Sequence, residues 1–255
     1  MKPARENVSK GLGTMDIQLN GLVIICGNYG SGKTEVAVNL AAYRKQMGDT
    51  VQIADLDLVN PYFRTREARK QLAELGVEVI LPAEMYIHAD LPILSRSVSG
   101  MIRNSAGLSI LDVGGDDAGA TVLSSLANSF QGKTPRMLQV VNPFRPQTET
   151  LAGVLKIKSA IERASRLSIN GFVGNANLID ETTPEIVFEG YELLTRVSDE
   201  TQIPLEFITI PEELRDTVSA DKFDVPILFI QRQLIPPWKL TGRPRTFLPI
   251  FSETG

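Results

Sequence analysis

The feature that most constrains the fold is a glycine-rich octapeptide, GNYGSGKT, at Gly27–Thr34. It fits the pattern GxxxxGK[ST], in which glycines let the backbone wrap so that its N–H groups point inward at a phosphate. An apolar run, Leu22–Cys26, precedes the octapeptide, and an amphipathic helical pattern, Thr34–Met47, follows it. In this order the positive end of the helix dipole points at the same place as the loop N–H groups. The sequence therefore predicts a phosphate-binding loop between a buried strand and a helix.

The rest of the chain alternates short apolar runs with helical patterns. The runs are continuously apolar, which is typical of parallel strands covered on both faces. Repeated strand–helix–strand units predict an α/β fold of three layers, with a mostly parallel central sheet of about seven or eight strands. The other predicted strands are Val51–Ala54, Val77–Leu81, Leu108–Val113, Met137–Val141, Asn170–Val173 and Leu205–Ile210, with Pro226–Ile230 as a possible eighth. The other predicted helices are Thr65–Leu75 and Gln147–Ser165.

Composition excludes several other classes of protein. The 255 residues include one Cys and one His, so we expect no disulfide framework and no zinc or iron–sulfur site built within one chain. The net charge of −4 argues against a large nucleic-acid footprint. The apolar runs are too short to span a membrane, and the amino terminus has no apolar core of a secretory signal. We expect a cytoplasmic protein that binds neither nucleic acid nor membrane.

No repeat or linker divides the chain into separate domains. We expect residues 1–17 to be a flexible polar segment and residues 18–235 to form one nucleotide-binding domain. Residues 236–255 are proline-rich and locally basic, and their prolines exclude a continuous helix. The role of this tail stays open.

The octapeptide provides most of the predicted site. Lys33 is placed to bridge the β- and γ-phosphates, and Thr34 is placed to bind Mg²⁺. The residues expected to contact the nucleotide here are Gly27, Asn28, Tyr29, Gly30, Ser31, Gly32, Lys33, Thr34 and Glu35.

Carboxylates follow two of the predicted strands, at the sheet edge where ligands bind in this architecture. Asp55 and Asp57 end one strand, and Asp112 ends another. We assign Asp55 and Asp112 to Mg²⁺, and Asp57 to the attacking water because no Glu follows Asp112. Gly115 gives an Asp-x-x-Gly spacing, in which a backbone N–H can approach the γ-phosphate.

These motifs resemble those of the P-loop NTPases of the SIMIBI class, which includes the MinD/ParA ATPases, the nitrogenase iron protein and dethiobiotin synthetase. The Asp-Leu-Asp at 55–57 is similar to the switch I motif of that class, and Leu111–Asp116 is similar to switch II of the iron protein. Gly171–Asn175 resembles the strand and Asn that contact adenine in dethiobiotin synthetase, and Pro211 resembles the proline that flanks the base. The resemblance implies a three-layer P-loop NTPase fold with ATP and Mg²⁺ as cofactors.

Two departures limit what the resemblance implies. MinD/ParA-type loops carry a signature Lys one residue after the first Gly, where this chain has Asn28. That Lys reaches the partner's nucleotide across a dimer, so a dimer of that type is in doubt here, although a homodimer stays open. The two cysteines that hold the iron protein's cluster are also missing.

The identity of the base is less strongly indicated. Guanine readers of this superfamily use Asn-Lys-x-Asp, but Asn175 is followed by Ala176, and Leu178 stands where the Asp would be. Asn177 and Asp180 keep an Asn and an Asp at that spacing two residues later. We therefore favour ATP and keep GTP as the alternative.

The leading hypothesis is a slow Mg²⁺-dependent ATPase that acts as a conformational switch on a partner protein. The alternative is an ATP-dependent kinase or ligase for a small-molecule acceptor, resembling dethiobiotin synthetase. Arg64, Arg66 and Arg145 are the residues that could bind such an acceptor or supply a catalytic charge, and their roles stay open.

Overall fold

The computed structural model describes residues 16–56, 68–80, 96–104, 107–115, 122–124, 126–130, 132–234 and 247. Its strands form one eight-stranded sheet in which every neighbouring pair is parallel. The strands are β1 (Gly21–Cys26), β2 (Val51–Leu56), β3 (Glu78–Ile80), β4 (Leu108–Val113), β5 (Arg136–Val141), β6 (Gly171–Gly174), β7 (Leu205–Pro211) and β8 (Ile227–Ile230).

The strand order is β3-β2-β4-β1-β5-β6-β7-β8, which places β1 near the middle of the sheet. Strand β1 pairs with β4 on one side and with β5 on the other. The chain after β1 runs to β2 on one side, and the chain after the neighbouring β5 runs to β6 on the other side, so the direction of winding reverses between β1 and β5. In open parallel sheets this reversal leaves a crevice that binds ligands. The glycine-rich octapeptide follows β1 and lies at this crevice.

Helices cover both faces of the sheet: α1 (Lys33–Gln46), α2 (Arg69–Glu74), α3 (Arg96–Arg103), α4 (Leu151–Ser165) and α5 (Pro184–Thr201). Helices α1 and α2 share one apolar cluster with the sheet, and α3, α4 and α5 share the other. Strand β1 contributes to both clusters because successive side chains of a strand point to opposite faces. Val23 and Ile25 pack towards α1, while Leu22 and Ile24 pack on the opposite face.

The predicted three-layer α/β fold is confirmed, and each predicted strand has a counterpart whose bounds differ by no more than two residues. The helix predicted at Gln147–Ser165 begins later, at Leu151, because Gln147 has a positive φ of 76° and Thr150 caps the helix. The Thr150 side chain accepts a hydrogen bond from the Gly153 N–H at 3.2 Å. Helices α3 and α5 were not predicted. Part of the predicted Thr65–Leu75 helix lies outside the described residues.

Within the described residues, packing includes positions just before the predicted boundary at residue 18. Ile17 and Leu19 are both buried in the cluster around α1. The Tyr43 hydroxyl donates to Asp16 Oδ1 at 2.7 Å, and the Arg44 guanidinium donates to the Ile17 carbonyl. These contacts attach the segment to α1. Residues 1–15 lie outside the described part.

Within the described residues, no helix is both long enough and apolar enough to cross a membrane.

Candidate functional site

The glycines of the octapeptide are packed too closely to accept side chains. A Cβ on Gly27 would lie 2.5 Å from the Val140 carbonyl oxygen and 2.8 Å from Ser31 Oγ. A Cβ on Gly32, whose φ is +87°, would lie 2.2 Å from Asn175 Nδ2. Gly32 also caps α1, which begins at Lys33. The first turn of that helix therefore points its backbone N–H groups into the loop, as an anion site requires.

Asn175 connects this loop to two strands. Its Nδ2 donates to the Ser31 carbonyl at 2.7 Å, and its Oδ1 accepts from Thr209 Oγ1 at 2.6 Å. Both bonds are buried, so breaking either would leave a polar group without water, at about 1–3 kcal/mol. Asn175 was predicted to contact adenine, but its side-chain amide nitrogen and oxygen both hold the loop. Its contact with a base stays a prediction.

Lys33 and Thr34 lie at the mouth of the loop and are each about 5% exposed. Gly115, beyond the end of β4, packs against Lys33 and the backbone of the loop. A Cβ on Gly115 would lie 2.9 Å from Lys33 Nζ and 2.9 Å from the Tyr29 backbone nitrogen. The segment that resembles switch II is therefore in direct contact with the loop. At Gly115 this contact leaves room for a backbone N–H but not for a side chain.

Cys26, the last residue of β1, is buried next to the loop. Its thiol donates to the Leu138 carbonyl at 3.3 Å. Burial raises the pKa of this thiol to about 12, although the nearby Lys33 charge opposes the shift. Cys26 is therefore protonated at neutral pH and serves as a packing residue.

Asp55 and Asp112 lie side by side in neighbouring strands. They are paired in register between β2 and β4, and both are fully buried. Strand β4 in turn places Asp112 beside Ile25, directly before the loop. Carboxylate and hydroxyl oxygens are the ligands that Mg²⁺ prefers, so the assignment of Asp55, Asp112 and Thr34 to Mg²⁺ stays a prediction. Asp57, Arg64 and Arg66 lie outside the described residues.

Glu35 follows Thr34 and binds the segment after β8. Its carboxylate accepts the N–H groups of Gln233 at 2.6 Å and Leu234 at 3.1 Å. Asn39, one turn later, donates to the same carboxylate at 3.1 Å. Burial raises the pKa of Glu35 above its usual value, while these hydrogen bonds act in the opposite direction. The predicted nucleotide contact of Glu35 stays a prediction, since both carboxylate oxygens accept bonds from the chain itself.

The Asn39 side chain also binds the backbone of the same segment. Its Nδ2 donates to the Gln231 carbonyl at 3.1 Å, and its Oδ1 accepts the Gln231 N–H at 2.9 Å. The sequence alone does not reveal this role of Asn39, because no local pattern pairs residues 192 positions apart. We call residues 231–234 the α1 strap. The strap is thus fixed to the helix that begins at the phosphate loop.

A cavity of about 570 Å³ lies between the phosphate loop and the loop after β6. Its outer end is lined by polar and apolar residues of that loop, of the β7 end and of the α1 strap. Asp180 pairs there with Arg232 at 3.3 Å. The lining residues are Tyr29, Gly30, Gly32, Lys33, Thr34, Glu35, Asn142, Arg145, Asn175, Asn177, Ile179, Asp180, Thr182, Pro211, Glu213, Leu214, Ile230, Arg232 and Leu234.

Ile179 has an unusual conformation at this outer end. Its φ is +63°, which is rare for a β-branched residue, and it is 46% exposed. Asn177 Oδ1 accepts the Ile179 N–H at 2.7 Å, and Thr182 Oγ1 donates to its carbonyl at 2.9 Å. Side chains on both sides therefore hold an apolar residue at the rim of the cavity. Ile179 was not predicted to be a site residue, although Asn177 and Thr182 on either side are of turn-forming types.

Asn28 and Tyr29 differ sharply in exposure. Asn28 is buried and donates to the Pro146 carbonyl at 3.4 Å, whereas Tyr29 is 73% exposed. The residue that replaces the signature Lys is therefore directed at the loop after β5.

Comparisons with known proteins identify the fold. No protein-family model matches the chain, and no curated protein matches it. Among solved structures, cell division protein FtsY from Thermotoga maritima has a TM-score of 0.52 and 20% identity over 78% of this chain. The signal recognition particle receptor FtsY from Elizabethkingia anophelis, in complex with GDP, has a TM-score of 0.51 and 19% identity over 79% of this chain. A nucleotide-binding protein from Archaeoglobus fulgidus, in complex with ADP, has a TM-score of 0.47 and 19% identity.

The chain spans 66% and 61% of the two FtsY chains and 84% of the Archaeoglobus fulgidus protein. At these identities the likeness defines a fold and nothing more. The chain has the α/β fold of the P-loop NTPases, with the all-parallel sheet of the SIMIBI class. The resemblance predicted from its motifs is confirmed at this level.

Proposed function

We propose that this protein binds ATP and Mg²⁺ at the carboxyl end of β1 and acts as a slow ATPase that switches a partner protein. The observation that carries the proposal is the glycine cradle, because Gly27 and Gly32 admit no Cβ while Lys33 and Thr34 line its mouth. A cradle of backbone N–H groups with one ammonium is suited to the phosphate chain of a nucleotide.

Each residue of the site has a distinct task in this proposal. Lys33 binds the β- and γ-phosphates, and Thr34 holds Mg²⁺ with Asp55 and Asp112 nearby. Bound Mg²⁺ would neutralise charge that develops on the phosphates during hydrolysis. The Gly115 N–H would approach the γ-phosphate, and Asp57 would direct the attacking water.

Slow hydrolysis follows from the loop sequence. Asn28 supplies no charge where MinD/ParA-type loops carry a Lys, and it is bonded to Pro146 instead. An arginine supplied to the γ-phosphate is worth roughly 10³–10⁵ in rate where this has been measured. We therefore expect a turnover well below the ~1–10³ s⁻¹ that is typical of enzymes. Partner binding to switch segments would supply the missing charge, as in many nucleotide switches.

GTP is the second candidate, because one specific observation favours it. Asp180 lines the outer end of the cavity, where its carboxylate could accept the N–H groups of guanine. An FtsY structure with a similar fold contains GDP. Against GTP, Asp180 pairs with Arg232, and Ala176 and Leu178 occupy the places of the usual guanine readers.

Calorimetric titration with ATP and Mg²⁺ tests the proposal. Wild type should bind, and Lys33→Ala should bind at least tenfold more weakly, because a charged hydrogen bond of about 1.5–3 kcal/mol is lost. Equal affinities for both proteins would reject the site. ATPase assays over a range of protein concentrations then test the switch. A rate above ~1 s⁻¹ that does not depend on protein concentration would show a complete enzyme in one chain.

A further inference from the structure

The loop between β5 and α4 brings a second cation to the phosphate loop. Arg145 lies in this loop and lines the same cavity as Lys33 and Thr34. A Cβ on Gly30 would lie 3.6 Å from both Cδ and Nε of Arg145. The guanidinium is therefore held beside the middle of the octapeptide.

The turn that carries Arg145 is rigid. The Thr148 hydroxyl donates to the Asn142 carbonyl at 2.7 Å, and the Thr148 N–H donates to the Arg145 carbonyl at 3.1 Å. Asn142 and Thr148 are both buried. Two further bonds attach the turn to its surroundings, from Asn142 Nδ2 to the Asn177 carbonyl at 2.8 Å and from Asn28 Nδ2 to the Pro146 carbonyl at 3.4 Å. These bonds restrict the backbone from which the Arg145 side chain extends.

The charge of Arg145 has no counterion in the described part of the chain. No carboxylate there pairs with it, and its Nε is buried without a hydrogen-bond partner. Arg232, another cation of the cavity, is by contrast paired with Asp180. Burying a guanidinium nitrogen without a hydrogen-bond acceptor costs free energy unless a ligand supplies the acceptor.

We infer that Arg145 binds the phosphate chain of the nucleotide, as a second cation beside Lys33. This inference rests on the proposed function. The planar donors of a guanidinium match phosphate oxygens better than those of an ammonium do. Arg145 would hold the phosphates from the side of Gly30, on a different element from Lys33, and so would connect the β5–α4 loop to nucleotide binding.

The test compares Arg145→Ala, Arg145→Lys and Arg196→Ala by calorimetric titration with ATP, ADP and adenosine. Arg196 is exposed on α5 and serves as the control for net charge. Arg145→Ala should bind ATP and ADP about tenfold more weakly or worse, while its affinity for adenosine stays within twofold of wild type. As salt is raised, the ATP affinity of Arg145→Ala should fall less than that of wild type. Arg145→Lys should recover part of the loss, and Arg196→Ala should bind as wild type does.

The outcomes separate this inference from the proposed function. If wild type binds ATP and Lys33→Ala does not, but Arg145→Ala binds ATP as wild type does, the inference fails and the proposed function stands. If wild type binds no nucleotide at all, the proposed function fails and the inference falls with it. Thermal unfolding without ligand checks that each variant folds. If a folded Arg145→Ala binds adenosine and ATP more weakly by the same factor, Arg145 shapes the cavity instead of binding phosphate, and the inference is overturned.

Discussion

The two ends of the cavity are built on opposite principles. At the phosphate end, glycines exclude side chains, and buried hydrogen bonds from Asn175 fix the loop to β6 and β7. At the outer end, Ile179 is 46% exposed and the Asp180 side chain is 77% exposed. The phosphate end tolerates few substitutions, whereas the outer end can change without disturbing the core.

This difference explains which properties the fold constrains. Phosphate binding depends on backbone N–H groups, so it requires a fixed backbone and a few close contacts. Base recognition depends on side chains in loops, which vary more readily. The α1 strap connects the two ends, because Arg232 and Leu234 line the outer cavity while Glu35 holds the strap beside Thr34.

The largest expected effect is that of Gly32→Ala at the phosphate end. The new Cβ would lie 2.2 Å from Asn175 Nδ2 in a backbone with φ of +87°, so Asn175 must release the Ser31 carbonyl. We expect a loss of about 2–4 kcal/mol in the free energy of unfolding from the broken bond and the strain together. Chemical denaturation measures this loss, and titration should show no detectable ATP binding.

Gly30→Ala is the matched control for that variant. Gly30 also has a positive φ, of 75°, but its Cβ would meet nothing closer than 3.6 Å. Only the conformational cost remains, about 1 kcal/mol. If both variants lost the same stability, the close contact between Gly32 and Asn175 would not be what fixes the loop.

Asp112→Asn should have the next largest effect and should act through Mg²⁺. In the proposed Mg²⁺ site, removing the buried charge of Asp112 should weaken the binding of the divalent cation more than the binding of the nucleotide itself. We expect ATP affinity to fall about tenfold in Mg²⁺ and to change little in EDTA. An equal loss in both buffers would remove Asp112 from the Mg²⁺ site.

The sequence was sufficient to predict the strand, the loop and the helix around the octapeptide, because their signals are local. Eight consecutive residues between a strand and a helix specify the loop, and apolar runs specify the strands. Helix α5 was missed although Thr183 and Pro184 are a typical start signal, and the Thr183 side chain does accept the Ile186 N–H at 3.5 Å. The bonds of Asn175 to Thr209 and of Glu35 to the α1 strap join residues far apart in the chain. Such pairs leave no local pattern, so only the fold shows them.

Glu35→Gln probes the connection between the two ends through pH. Burial raises the folded-state pKa of Glu35 above its usual value of 4.5. Between 4.5 and the raised pKa the folded state binds more protons than the unfolded state, so this group lowers stability as pH rises. The free energy of unfolding of wild type should therefore fall relative to that of Glu35→Gln over this range, as measured by urea denaturation at several pH values. A difference that does not change with pH would mean that Glu35 titrates normally.

The smallest expected effect is that of Asp180→Asn at the outer end. Its ion pair with Arg232 is largely exposed, and such pairs contribute about 0–1 kcal/mol, so stability should hardly change. The informative measurement is competition of ATP and GTP against a fluorescent analogue. If adenine is the base, wild type prefers ATP, and Asp180→Asn changes the ratio of ATP affinity to GTP affinity by no more than about twofold. If Asp180 accepts from guanine, wild type prefers GTP and the variant loses about tenfold in GTP affinity alone, because one charged hydrogen bond is removed. The second result would overturn the assignment of ATP and would make the outer end, open as it is, the part of the cavity that selects the nucleotide.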